Sequence, residues 1–352
     1  MDKLISTISR RSLLTGAAGA LAAPMVGGRA RAAANAGSLT MVGYGGTYQD
    51  TLIRYVIIPF TKETGINVNF VPAPELSKVK AMQLMGNVEW DIFTGSGPQL
   101  AAGSKLGYWE ALNPSMFDLD DLTIQPTTDV VANQLYASGI AWDPKKYGPG
   151  KHPANFAELF DLERFPGRRS FRTFPDGTIE TALLADGVAP KDMYPLDVDR
   201  AFKVLDRIKP SIVWAAATPQ TISLVQTGEV DFSWTFSGRV KATTEPGGGV
   251  PLAYSFEQNL FWTEAMAVIK GAPNKEGAMK LINYMLRPEV QARLQDQLGY
   301  APVSKKASSM LRAEVRKWLP DLHNPKSLTV SDTYWADNKE PLTSRFKEWL
   351  QA

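Results

Sequence analysis

Two hydrophobic periods alternate along nearly the whole chain, and this alternation restricts the fold more than any other feature. Ser38–Val42 reads as a short strand, followed by the glycine-rich turn Gly43-Tyr44-Gly45-Gly46. A helix is expected from Thr47, a good N-cap, with Leu52, Tyr55 and Val56 at helical spacing and Pro59 as a break or kink. Gly65 reads as its C-terminal cap, and Ile66, Val68 and Phe70 then alternate with polar residues as a second strand. The pattern repeats downstream. Asp91-Ile92-Phe93, Ala137–Trp142, Arg169–Thr173, Val230–Thr235 and Ala265–Ile269 read as extended segments. Leu76–Met85, Leu100–Leu106, Ile179–Leu184, Asp199–Ile208, Ile222–Gln226, Glu276–Met285 and Pro288–Leu298 read as helices. Strands that alternate with helices predict α/β architecture with mainly parallel sheets. A length of 352 residues suggests two domains, each with its own core, and no solenoid-length repeat is visible.

Composition removes several kinds of chemistry. There are no cysteines, which excludes disulfides, thiolate metal sites and a Cys nucleophile. The two histidines, His152 and His323, each lie beside Pro or Asn-Pro, so a multi-histidine zinc site is not expected. With 38 Lys+Arg against 36 Asp+Glu, the chain has no electrostatic footprint for nucleic acid or an anionic membrane.

The first residues read as an export signal. Ser9-Arg10-Arg11-Ser12-Leu13-Leu14 is a twin-arginine signature that leads into an Ala-rich apolar run ending at Val26. That run is too short to span a bilayer, and Ala30-Arg31-Ala32 offers a small-x-small cleavage site. Residues 1–32 hold five basic residues and one acid, so their removal turns the formal charge of +2 into −2. The expectation is a cleavable twin-arginine-type signal over residues 1–32 and a soluble exported mature chain.

A family resemblance rests on several strings in order. Phe60-Thr61-Lys62-Glu63-Thr64-Gly65 resembles the first-helix ending of periplasmic substrate-binding proteins of ABC importers. Phe261-Trp262-Thr263-Glu264-Ala265-Met266-Ala267, Asn274–Ala278, Leu281–Val290 and Gly299-Tyr300 resemble the spermidine/putrescine-binding branch. The resemblance runs from about Leu39 to Pro302 and is strongest from Phe261 onward. It implies the type II periplasmic-binding-protein fold, in which two α/β domains are joined by crossing segments and enclose the ligand between them. It places domain 1 at residues 39–138 plus 263–308, and domain 2 at residues 139–262 plus 309–352. The implied protein is a periplasmic receptor, monomeric, without cofactor, metal or catalysis, that delivers a small amine-containing solute to an inner-membrane permease.

The cleft residues follow from cation chemistry and from the resemblance together. Aromatic faces attract a cation and a carboxylate neutralises it. Trp262 and Glu264 lie two apart on an extended segment and so share one face. The family places an aromatic and an acidic ligand here, though its usual acid is Asp. By similarity Trp234 is the second tryptophan, Tyr48 an aromatic after the first strand with Tyr44 as an alternative, Ser96 a cleft serine and Tyr300 a cleft tyrosine. The turn ending at Thr47 can hold a polar ligand group on its backbone. Asp176 is a candidate second anion, or else a turn residue before Gly177. Arg239, five residues after Trp234, is a candidate for a ligand carboxylate. Arg239 with Glu264 would suit a zwitterion such as γ-aminobutyrate better than a diamine. Other readings are an exported hydrolase, for which Gly95-Ser96-Gly97 lacks the G-x-S-x-G pattern, or a same-fold binder of ferric iron, thiamine or a phosphonate.

Overall fold

The computed structural model describes residues 37–352, so the expected signal over residues 1–32 lies outside the described residues. The first half opens with β1 (Ser38–Gly43), α1 (Thr47–Leu52), a π-helical turn at Ile53–Ile57, and α2 (Ile58–Thr64). Pro59 lies in the first turn of α2, where its missing N–H costs least. The wide π turn just before it lets the helix run on instead of breaking. Gly65 closes α2 in the left-handed conformation at φ 74°. Next come β2 (Asn67–Pro72), α3 (Leu76–Met85), β3 (Ile92–Ser96), α4 (Gly97–Lys105) and the long β4 (Val131–Trp142).

The middle of the chain contains α5 (Phe156–Phe160), β5 (Arg169–Arg172), α6 (Thr178–Ala185), α7 (Val198–Asp206), β6 (Ile212–Ala215), α8 (Gln220–Gln226), β7 (Phe232–Phe236), α9 (Ser237–Thr243) and β8 (Ala253–Tyr254). Then follow β9 (Leu260–Val268), α10 (Lys275–Leu286), α11 (Pro288–Leu298), β10 (Ala301–Pro302), α12 (Lys305–Met310), α13 (Ala313–Arg316), β11 (Leu328–Thr329) and the 20-residue α14 (Asp332–Gln351). No described helix is long and apolar enough to cross a membrane.

The strands join in the order β2-β1-β3-β9-β4-β7-β5-β6. Each end of this sheet is a parallel triplet, β2-β1-β3 and β7-β5-β6, as strand–helix crossovers require. Between them β9 and β4 run antiparallel to each other and to their outer neighbours. These two strands are longer than the sequence reading gave. β4 begins at Val131, not Ala137, and β9 at Leu260, not Ala265. Their added residues include the buried polar side chains Asn133, Gln134, Thr263 and Glu264, which hide a strand from a hydrophobicity pattern.

The apolar cores divide along these same two strands. Leu135 of β4 and Met266 of β9 pack with Met41, Phe60, Ile92 and Ile282. Ile140 of β4, with Leu260 and Trp262 of β9, packs with Phe171, Ile179, Trp335 and Phe346. The described residues Gly37–Ala352 nonetheless form one compact unit.

Candidate functional site

The turns leaving the parallel strands converge at one place. Ligands in open α/β sheets bind at these carboxyl ends, where helix N-termini and turn backbones face outward. Here Tyr44 follows β1, Ser96 ends β3, Arg172 ends β5, Phe174 and Asp176 lie in the β5–α6 loop, and Phe236 ends β7. Together with Tyr136 of β4 and Trp262 of β9 they line a cavity of about 180 Å³, which Pro98 and Lys339 complete.

The rim on the β1 and β3 side is held by hydrogen bonds. Ser96 caps α4, and its backbone N–H donates to Gln99 Oε1 at 3.1 Å. The Tyr44 hydroxyl donates to the same Gln99 oxygen at 3.0 Å, which fixes an otherwise exposed ring at the cavity mouth. Burial of that hydroxyl and the nearby Glu264 charge push the Tyr44 phenol up to about 12. On the crossing strands Tyr136 and Trp262 are cross-strand partners with rings stacked at 6.3 Å. The Trp262 indole donates to Ser138 Oγ at 2.8 Å.

Arg172 dominates the opposite wall. Its guanidinium lies 5.1 Å from the Phe174 and Phe236 ring centres and 5.5 Å from that of Trp234. The aromatic cage that a ligand cation would use is therefore already filled by a protein cation. Asp176 stands 4.0 Å from the guanidinium, a loose ion pair. Arg172 Nε and Asp176 Oδ1 are buried and have no hydrogen-bond partner. Burial holds the Arg172 pKa below the usual guanidinium value, with Asp176 pulling the other way. Gly177 next to Asp176 has φ +82°, and a Cβ there would meet the Trp234 and Trp262 rings at 2.7 and 2.8 Å. Only glycine lets the loop turn this close to the tryptophans.

Behind the cavity lies a polar interior. Glu264 is buried on β9, and its Oε2 accepts from Gln134 Nε2 at 3.0 Å. Gln134 Oε1 accepts in turn from Gln295 Nε2 at 2.8 Å. A bulge in β4 lies between Ala132 and Gln134, and the intervening Asn133 is buried with both amide atoms unpartnered. Bulges re-aim side chains in this way. The Tyr48 hydroxyl faces Glu264 and Asn133, and neither it nor Glu264 Oε1 has a well-formed partner. Burial raises the Glu264 carboxyl to about 7, only partly offset by Tyr48 and Gln134.

A second buried carboxyl, Glu180 on α6, ties the β5–α6 loop to the last helix. It accepts from the Gly177 N–H at 2.9 Å, the Tyr194 hydroxyl at 2.9 Å and the Trp335 indole at 2.5 Å. Burial raises it to about 7.

Of the residues singled out from sequence, Tyr44, Ser96, Asp176 and Trp262 line the cavity. Tyr48, Trp234, Glu264 and Tyr300 lie one layer behind it. Tyr300 sits 5.8 Å from the Tyr136 ring, and Trp234 is fully buried with its indole N–H unpartnered. Arg239 is exposed on α9 and does not line the cavity. Thr47 opens α1, and its side chain lies outside the described ones. Arg172, Tyr136, Phe174, Phe236 and Lys339 were missed. Arg172 and Phe174 carried a usable signal, since they immediately precede the Pro175-Asp176-Gly177 turn at the end of a parallel strand. No described group of His, Cys, Asp and Glu could hold a metal ion.

The chain is 34% identical to the γ-aminobutyric acid-binding protein of Pseudomonas aeruginosa, over 91% of this chain and 93% of that one. It is 24% identical to the periplasmic spermidine/putrescine-binding protein of Escherichia coli, over 70% and 69%. Its structure superposes on a solved GABA receptor with a TM-score of 0.82 at 33% identity, covering 89% of this chain and 97% of that one. An ABC transporter substrate-binding protein of Bradyrhizobium japonicum gives 0.80 at 31% identity, over 89% and 99%. The fold is that of periplasmic binding proteins. A model of the bacterial extracellular solute-binding protein family matches residues 56–319, and the chain belongs to that family.

Proposed function

We propose that the protein is a periplasmic, non-enzymatic receptor of an ABC importer that captures a small ω-amino acid of the γ-aminobutyrate type. The observation that carries this reading is Arg172. A guanidinium held by three aromatic rings, with one loosely placed acid beside it, is suited to a ligand carboxylate. The ligand's ammonium lies toward the Tyr136 and Trp262 rings, with Asp176 and Glu264 as the nearby negative groups. Relatives that bind γ-aminobutyrate support the same ligand class. The ligand bridges two lobes, residues 39–138 plus 263–308 and residues 139–262 plus 309–352, and so favours their closed arrangement. The closed monomer then docks on the permease. Residues 1–32 direct twin-arginine export, and replacing Arg10 and Arg11 by Lys should leave the protein in the cytoplasm in a fractionation assay.

The second reading is a diamine receptor, favoured by the five aromatic side chains that line the cavity beside Asp176 and by the polyamine-binding relatives. Calorimetric titration of the mature protein, stripped of ligand by unfolding and refolding, separates the two. The zwitterion reading expects γ-aminobutyrate to bind more tightly than putrescine, and Arg172→Ala to weaken γ-aminobutyrate about tenfold to a hundredfold. Tighter putrescine binding, or unchanged γ-aminobutyrate affinity in a folded Arg172→Ala protein, would reject it.

A further inference from the structure

Helix α14 delivers a charged side chain to the cavity from outside the sheet. The helix is fixed at three points. The indole of its buried Trp335 donates to Glu180, its Asp332 carboxylate accepts from Thr263 Oγ1 on β9 at 2.5 Å, and its Asp337 pairs with Lys105 on α4. Lys339 follows Trp335 by four residues, so the two share one helical face, and a helical side chain leans back over the preceding turn. That geometry carries Lys339, itself solvent-exposed, to the mouth of the cavity that Arg172 and Asp176 also line.

The charges on that wall do not balance. Arg172 has Asp176 at 4.0 Å, whereas Lys339 has no hydrogen bond, ion pair or aromatic partner among the described residues. The wall thus holds two cations and one carboxylate. Neither Glu264 nor Arg239 lines the cavity.

We propose that Lys339 is a specificity-determining residue, whose ammonium admits a solute that carries a carboxylate and repels one with two ammonium groups. The inference rests on the zwitterion reading above and adds the residue that enforces it. A cavity of about 180 Å³ leaves a bound diamine no room to keep both charges far from Lys339. Rejection by a like charge is a common route to discrimination between ligands of similar size.

The test is the ratio of putrescine to γ-aminobutyrate dissociation constants, measured by calorimetry for wild type, Lys339→Gln, Lys339→Arg and Lys339→Glu. Gln and Arg are helix formers comparable to Lys, so α14 should survive, as unchanged melting temperatures would verify. The expected result is a ratio lowered about tenfold or more in Lys339→Gln, lowered further in Lys339→Glu, and kept in Lys339→Arg. The salt dependence of γ-aminobutyrate binding should also weaken in Lys339→Gln. A folded Lys339→Gln protein with the wild-type ratio overturns the role of Lys339 and leaves the zwitterion reading standing. Wild-type protein that prefers putrescine, or binds neither solute, overturns both.

Discussion

At Glu264, burial and hydrogen bonding pull in opposite directions, and burial wins. The carboxyl rises from 4.5 to about 7, as does that of Glu180. A folded-state pKa above the unfolded value means the folded protein holds the proton more tightly. The resulting stabilisation is full below the unfolded pKa and is lost as pH climbs through about 7. Unliganded protein should therefore melt at progressively lower temperature between about pH 5 and pH 7.5, and Glu264→Gln should make that fall shallower while Glu180 keeps its own share. A wild-type profile that is level or rises over this range contradicts the assignment. An ammonium ligand near Glu264 favours the ionised form, so binding should release protons near pH 7, detectable as a buffer-dependent calorimetric heat. The Trp262–Glu264 pair was legible in sequence because a strand's period of two puts both on one face. Which layer they occupy was not, since the tyrosines that cover Glu264 come from distant parts of the chain. Arg172 escaped notice although it stands just before the turn that follows a parallel strand, because the Phe236 and Trp234 rings that surround its guanidinium come from a strand about 60 residues away.

At the scale of elements, α14 was the largest omission from the sequence reading. Its buried side chains Trp335, Leu342 and Phe346 are sparse, and Pro341 stands between them, so the segment lacks a dense amphipathic stripe. Helix identity is carried instead by Ser331, whose side chain accepts from the Tyr334 N–H, and by packing against the core. Removing that anchor should be costly. Trp335→Ala is expected to destabilise by about 3–5 kcal/mol in urea unfolding. Trp335→Phe keeps most of the volume and strips one donor from Glu180, with a smaller expected cost of about 1–3 kcal/mol. The exposed Lys105–Asp337 pair should matter little, so Lys105→Ala should change stability by less than about 1 kcal/mol. Five of the six strands in the parallel triplets were legible because each is a short apolar or alternating run bounded by turn residues, whereas the four-residue β6 was not read. The crossing strands β4 and β9 were only half visible, since at their buried polar positions hydrogen bonding replaces hydrophobicity.

For the molecule as a whole, the sheet order explains how one site draws on so much of the chain. The strands that end at the cavity come from both parallel triplets, while Tyr136 and Trp262 come from the antiparallel strands between them. A ligand touching all three sets can hold them in one arrangement. Small-angle scattering should accordingly show a smaller radius of gyration with saturating γ-aminobutyrate than without it, and an unchanged curve despite calorimetric binding would argue against closure. The same order has a consequence for biosynthesis. Strand β9 lies between β3 and β4 and bonds to both, yet it is made only when residues 260–268 emerge. Until then the growing chain presents β3 and β4 as two unpaired edges, the kind of surface on which chains aggregate. Roughly the first three-quarters of the polypeptide must therefore wait, unfinished, for a strand that arrives late, and whatever escorts the nascent protein has to shield those edges for that interval.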